Sequence, residues 1–445
     1  MSHVFGRNAR SDFPVAVRGE GLYLYDADGN RYLDASGGAA VSCLGHGHPA
    51  VREAIKRQVD LLAYAHTGYF TNEPQERLAD ELIAHAPAGL TRAFFVTGGS
   101  EATEAAMKLA RQFHVECGRP ERRHFISRGF SYHGNTLGAL SVSGHHARRE
   151  IYLPMLLDVT HISPCFSYRG QQPGESVSAY GERVANELEA AILRAGPGTV
   201  AAFIAETVVG ATLGAAAAVP GYFRRIREIC DRYDVVMILD EVMCGLGRTG
   251  TLHACESEGV APDLLLLAKG LGAGYQPIGA MLVAGKIYDA IAGSSGVFNH
   301  GHTYMGHAVG CAAALAVQRV IKDDRLLMNV RHQGDALDRL LRECFADHPH
   351  VGDVRGRGLF RALELVQDRR SKKPFESYVK LHARIKRHAM AAGLICYPGG
   401  GTADGTAGDH VLIAPPFNVT GDEIHDIVTR LSIAVNDALA GIEAS

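Results

Sequence analysis

The stretch LLLLAKGLGAGY (264–275) sets four consecutive leucines ahead of one lysine and three glycines. A short unbroken apolar run ended by glycine is the pattern of a strand buried on both faces, as in a parallel sheet covered by helices. The same pattern recurs on either side of it. VAAFIAE (200–206) and VVMILD (235–240) precede it, with the helical stretch GYFRRIREICDRYD between them, and AMLVA (280–284) follows. Further out lie HFISR (124–128) and TRAFFVT (91–97). The latter runs into Gly98-Gly99-Ser100 and then EATEAAMKLARQF (101–113), whose apolar positions have the helical period. Apolar runs alternating with helices predict an α/β fold around a mostly parallel sheet.

Towards the ends the texture changes. GLYLYDADGNRYLDA (21–35) reads as two short strands around Asp28-Gly29, a hairpin signal. Helical patterns follow over 48–62 and 74–85, and a long Ala-rich helix starts near Gly310. From about Leu337 the elements shorten into a smaller α+β domain. PGGGTADGTAGD (398–409) reads as a Gly-rich loop, expected to be mobile and to cover the substrate entrance, since fixing so many glycines is entropically costly. The expected division is 1–60 as an N-terminal segment joining the small domain, 61–325 as the large domain, and 326–445 as the small domain.

Composition excludes several classes. With 445 residues, a net charge of -3 and no basic stripe, nucleic acid is not an expected partner. The longest apolar runs are too short to span a bilayer, and the charged stretch MSHVFGRNARSDF has no apolar segment of a secretory signal. Nine cysteines without paired spacing read as reduced thiols of a cytoplasmic protein. The histidine groups His46/His48, His145/His146 and His300/His302 lack the i,i+4 spacing and nearby acid of a helical zinc site, so no metal is expected.

Four features carry chemistry. The turn TGGSEAT (97–103) opens a helix, where free backbone N–H groups and the positive dipole end make an anion site. Gly99 permits close approach and Ser100 offers its hydroxyl, although an ordinary helix cap has the same look. Asp240 ends a buried strand, where ligands of open α/β sheets bind, and its carboxylate can pair with a protonated ring nitrogen. Lys269 follows the strongly apolar strand, where desolvation favours the neutral, nucleophilic amine. Tyr132, in FSYHG (130–134), can stack on a flat ring. An anion cradle, a ring-nitrogen partner, a stacking face and an amine are together what pyridoxal 5'-phosphate requires.

The sequence resembles the class III (omega-amino acid and amine–pyruvate) aminotransferases of fold type I over nearly its whole length. LYDADGNRYLD, GHGHP, TGGSEATEAAMKLAR, YHG, DEVMCGLGRTG, PDLLLLAKGLGAGYQPIGA, HGHTYMGH, RGRGL and APP occur in the family's order. The resemblance implies a large domain with a seven-stranded-type sheet, a smaller α+β domain and pyridoxal phosphate as cofactor. It implies Lys269 as the Schiff-base lysine and proton shuttle, Asp240 on the pyridine nitrogen, Val242 and Tyr132 on the two ring faces, and Gly99 and Ser100 on the phosphate. Glu206 resembles the family's glutamate near the cofactor, with Thr207 where proline is usual. His133 is the usual neighbour of the stacking aromatic, with no role assigned. Thr303 is implied to reach the phosphate of a neighbouring subunit, giving a homodimer with shared sites, with the pairing of dimers into a tetramer left open. The implied reaction moves an amino group from an amine or omega-amino acid to pyruvate or another 2-oxo acid by a ping-pong route. An aminomutase, racemase or decarboxylase shares the same residues, and a non-catalytic binding protein could share the fold. Two departures bear on substrate choice. Gly38-Ala39-Ala40 stands where many members carry a tryptophan, and Tyr397 stands where a movable carboxylate-binding arginine is usual.

Overall fold

The computed structural model describes residues 3–10 and 12–443. Met1, Ser2 and Ser11, part of the charged stretch expected to carry no signal, lie outside the described residues. The chain opens with β1 (Ala16–Glu20), β2 (Tyr23–Asp26) and β3 (Arg31–Asp34), paired antiparallel in sequence. The Asp28-Gly29 turn is closed by Asp26, whose carboxylate accepts the backbone N–H groups of Asp28 and Asn30. Helices α1 (Pro49–Leu61) and α2 (Glu73–Ala84) follow, the second capped by Asn72, which accepts from Gln75 N.

The large sheet is built from β4 (Leu90–Val96), β5 (His124–Arg128), β6 (Val159–Ile162), β7 (Val200–Glu206), β8 (Val236–Asp240), β9 (Leu264–Leu267) and β10 (Gly279–Ala284). Its order is β4-β10-β9-β8-β7-β5-β6. Only β10 runs against its neighbours, β9 and β4. Its apolar run looks like the others, so the reversal leaves no mark in the sequence. Every residue of β7, β8, β9 and β10 is buried, because both sheet faces are covered. Helix α3 (Gly99–Glu116) lays Ala102, Ala106, Leu109 and Phe113 on one face. Helices α4 (Val177–Ala195) and α5 (Tyr222–Tyr233) lay Leu188, Ile192, Phe223 and Ile226 on the other. Each such Leu, Ile or Phe contributes about 1.5–3 kcal/mol by leaving water. The strands thus hold fixed whatever emerges at their carboxyl ends.

Helix α6 (Ala308–Asp323) leads directly into α7 (Leu326–Cys344). The helix expected from about Leu337 therefore begins eleven residues earlier, and a left-handed Arg325, φ 52°, breaks it from α6. The remaining elements are β11 (Val351–Arg357), β12 (Phe360–Leu365), α8 (Leu381–Ala391), β13 (Leu394–Ile395), β14 (Tyr397–Gly400), β15 (Asp409–Ile413) and α9 (Gly421–Glu443). An antiparallel sheet has the order β11-β12-β15-β14, while β13 pairs in parallel with β3. Leu22 and Leu33 consequently share a core with Leu394, Ile427 and Leu431.

The Gly-rich stretch 398–409 is shorter as a loop than expected. Pro398, Gly399 and Gly400 pair with β15, leaving 401–408 as the connection. A Cβ on Gly399 would meet the His410 ring at 2.5 Å, and one on Gly400 the His382 ring at 2.7 Å. Glycine is needed there because imidazoles occupy the space, which composition alone does not reveal. The turn itself is tied by Gly401 N to Gly408 O at 2.7 Å and by Asp404, which accepts from Thr406 and Ala407 N–H.

Candidate active site

The carboxyl ends of β4, β7, β8 and β9 open on a cavity of about 450 Å³. Seven of the eight residues expected in the site line it: Gly99, Ser100, Tyr132, Glu206, Asp240, Val242 and Lys269. Thr303 does not; it is exposed on the loop before α6, where its carbonyl accepts the Tyr64 hydroxyl at 2.9 Å.

The anion cradle is the start of α3. The residue before its first turn is Gly98, which offers no side-chain cap, so the leading N–H groups are left to solvent or a ligand. Ser100 stands inside the first turn and is not the cap. Its Oγ accepts Asn135 N–H at 3.0 Å and keeps its own proton to donate. Gly134, φ 137°, lets the Tyr132 loop come this close, since a Cβ there would lie 2.6 Å from Ser100 Oγ. Gly99 backs onto Val242, whose Cγ1 would be 3.0 Å from an added Cβ.

Asp240 is the last residue of β8 and is buried. Its Oδ1 accepts Val242 N–H at 2.9 Å, and its Oδ2 lies 2.8 Å from His133 Nδ1. A carboxylate only accepts, so Nδ1 carries the proton in this contact. The opposite ring nitrogen, His133 Nε2, is buried without a protein partner. Glu206 ends the neighbouring β7, level with Asp240 in the register. Its two oxygens accept Tyr132 N–H and Gly210 N–H, each at 2.9 Å. Burial pushes its pKa up, with the Asp240 charge adding to the rise and the His133 ring opposing it. Glu206 thereby fixes the backbone that presents the Tyr132 ring.

Lys269 stands two residues past β9 with φ 48°, a left-handed conformation unusual for a long side chain. The turn is held by Gly272 and Ala273 N–H groups on its carbonyl. Among the described residues its Nζ forms no hydrogen bond or ion pair. Desolvation holds its pKa below the ordinary lysine value, against the opposing pull of Asp240 and Glu206. A strained, uncommitted, desolvated amine at a strand end is a nucleophile or a proton carrier.

Residue-type reasoning missed a further carboxylate, Glu241. It accepts Thr207 Oγ1–H at 3.0 Å and the backbone N–H groups of Cys255 and Ala254, each at 2.7 Å. Burial raises its pKa to about 7. Thr207, where proline is usual, thus ties β7 to the segment after β8. The Asp-Glu pair at 240–241 was the available signal. The two sequence departures also meet: Ala40 and Tyr397 pack in one cluster with Met243, which lines the cavity. Among the described residues no group of three or more His, Cys, Asp or Glu could hold a metal ion.

These residues fit pyridoxal phosphate. The uncapped helix start suits a phosphate, the oriented Asp240 carboxylate suits a ring nitrogen, and the free Lys269 amine suits the aldehyde. Residues 4–435 match the family described as aminotransferase class-III. An uncharacterized aminotransferase of Schizosaccharomyces pombe is 46% identical over 430 residues, covering 96% of this chain and 94% of that protein. The omega transaminase of Pseudomonas jessenii, solved in complex with PMP, superposes with a TM-score of 0.93 at 34% identity, covering 100% of this chain and 97% of that one. A thermostable omega transaminase variant engineered for asymmetric synthesis of enantiopure bulky amines gives a TM-score of 0.93 at 34% identity, covering 99% and 98%. The chain belongs to the class III aminotransferases, a family that works with pyridoxal phosphate, and it is an aminotransferase on their α/β fold.

Proposed function

We propose that this aminotransferase binds pyridoxal phosphate through Lys269 and moves an amino group from an amine or omega-amino acid to pyruvate or another 2-oxo acid, in two alternating half-reactions. The carrying observation is the free Lys269 amine facing two buried carboxylates in a cavity that begins at an uncapped helix start. When bound, the cofactor supplies an electron sink for the carbon that loses its proton. Lys269 Nζ would be the covalent attachment point and, once displaced by substrate, would take the proton from the substrate carbon and deliver it to C4′, the former aldehyde carbon of the cofactor. Asp240, aimed by His133 and Val242 N–H, presents its carboxylate to the ring nitrogen and favours the protonated ring. Ser100 and the first N–H groups of α3 hold the phosphate. Tyr132 and Val242 flank the ring, and Glu206 keeps Tyr132 in place.

The small residues at Gly38, Ala39 and Ala40 favour a donor with a bulky substituent, a reading supported by the similar variant made for bulky amines. The assembly we propose is a homodimer in which Thr303 completes the phosphate site of the neighbouring subunit. Exposed Tyr64 and Tyr304 beside Thr303 support it. A cytoplasmic location is supported by nine unpaired cysteines. The test is a half-reaction screen. The pyridoxal-loaded protein is mixed with single amines, omega-amino acids and α-amino acids, without acceptor, and the cofactor absorbance is followed. Conversion to the pyridoxamine form, reversed by pyruvate, is the expected result. Donors that perturb the spectrum without ever giving pyridoxamine would overturn the substrate reading.

A further inference from the structure

A 2-oxo acid entering this cavity meets an electrostatic problem. Lys269 is the only lysine or arginine among the lining residues, and Asp240 and Glu206 are both there. Lys269 is engaged at the reacting carbon, so a carboxylate faces like charges unless another cation reaches it. Tyr397 occupies the usual arginine position and packs among apolar residues. The arginines nearby are mostly committed. Arg128 is buried, donates to the Glu206 carbonyl and sits over the Tyr222 and Phe223 rings. Arg355 pairs with Asp353 and Glu364, and Arg169 with Glu364. Arg149 is half-buried with its Nε unpartnered among the described residues, and its charge opposes protonation of His161 on β6.

Arg148 is different. It is exposed, and among the described residues its guanidinium makes no hydrogen bond or ion pair. It rests over the Tyr132 ring, its Cζ 4.8 Å from the centroid. Tyr132 lines the cavity, and the Arg148 charge is felt at Lys269, after burial, the two carboxylates and Cys244. A guanidinium on an exposed aromatic face is weakly held, whereas a carboxylate offers it two parallel hydrogen bonds. The tip of the 401–408 turn packs on the same short segment, since a Cβ on Gly405 would lie 3.1 Å from His146 Cβ.

We propose that Arg148, resting on Tyr132, is the carboxylate-binding residue of this site and confers preference for 2-oxo acid acceptors. This rests on the aminotransferase reading above. Its exposure lets it swing away when a donor without a carboxylate occupies the same space. The test compares Arg148→Ala and Arg148→Lys with the unsubstituted enzyme, using pyruvate and propanal as acceptors from one amine donor. Propanoate binding to the cofactor-loaded protein is measured in parallel by calorimetry. Arg148→Ala is expected to raise the KM for pyruvate and the Kd for propanoate by about tenfold or more, the factor carried by one charged hydrogen bond. The KM for propanal should stay within about twofold, and Arg148→Lys should recover part of the loss. Equal changes for pyruvate and propanal, or an unchanged propanoate Kd, would overturn the proposal. If the unsubstituted enzyme transfers to neither acceptor, the substrate reading fails, while propanoate binding still decides the role of Arg148.

Discussion

Gly99→Ala probes how closely the two walls of the phosphate cradle approach. An added Cβ would lie 3.0 Å from Val242 Cγ1 and 3.2 Å from Cγ2, against the roughly 3.5–4.0 Å that carbon atoms prefer. Val242 has little room to yield, because its N–H is held by Asp240 Oδ1 at 2.9 Å and a β-branched side chain is stiff. Overpacking of this kind costs about 1–3 kcal/mol, offset by up to ~1 kcal/mol because alanine is the better helix former. Gly99 has no left-handed backbone, so the penalty is steric. Val242→Ala removes both offending carbons. In that background Gly99→Ala should be neutral or stabilising, giving a coupling of at least ~1 kcal/mol between the two substitutions. Urea unfolding of the four cofactor-free proteins measures the coupling, and spectroscopic cofactor titration shows whether the strained single variant also binds less tightly. Effects that add within ~0.3–0.5 kcal/mol would refute the argument that these two residues press on each other.

Three further outcomes are expected. Lys269→Ala should bind the cofactor reversibly with no link trapped by borohydride, and turnover should fall by about three orders of magnitude or more; near-normal turnover would remove Lys269 from the mechanism. Thr207→Val takes a donor from Glu241, whose pKa in the folded protein is already raised from 4.5 to about 7. The folded state holds that proton more tightly than the unfolded chain, so its stabilising contribution is full below about pH 4.5 and is lost as pH rises through about 7, roughly 3 kcal/mol in all. The substitution should therefore cost little at pH 5 and about 1–2 kcal/mol at pH 8, read from unfolding midpoints, and an equal cost at both would count against it. Thr303→Ala should loosen cofactor retention in a protein that sediments as a dimer, and a stable active monomer at assay concentration would end the shared-site reading.

The sheet was legible because β7, β8 and β9 are buried on both faces and so read as unbroken apolar runs. The direction of β10 was not legible, since burial dictates composition and not polarity. The helical period at 337–344 was visible, yet its true start at Leu326 was hidden by Arg325, which ends α6 without proline or glycine. At the site, residue type and position at strand ends singled out Lys269, Asp240 and Ser100. The work of Glu241 and Arg148 escaped that reading for a different reason. Their partners, Ala254 and Cys255 for one and the Tyr132 ring for the other, are distant or irregularly spaced in sequence, so no periodicity announces them.

The position of Arg148 also bears on how one cavity can take two chemically unlike partners in turn. A buried arginine fixed in the pocket would bind a 2-oxo acid well. Each amine donor lacking a carboxylate would then leave that charge desolvated and unpaired, a penalty of several kcal/mol. An arginine resting outside on an aromatic ring carries no such penalty, because water solvates it whenever the carboxylate is absent. The only lysine, arginine or carboxylic side chains lining the cavity are then Lys269, Asp240 and Glu206. Selectivity between donor and acceptor follows from a cation that enters only with its counter-charge. On this argument, moving the arginine inward should sharpen discrimination for 2-oxo acids at the expense of simple amines.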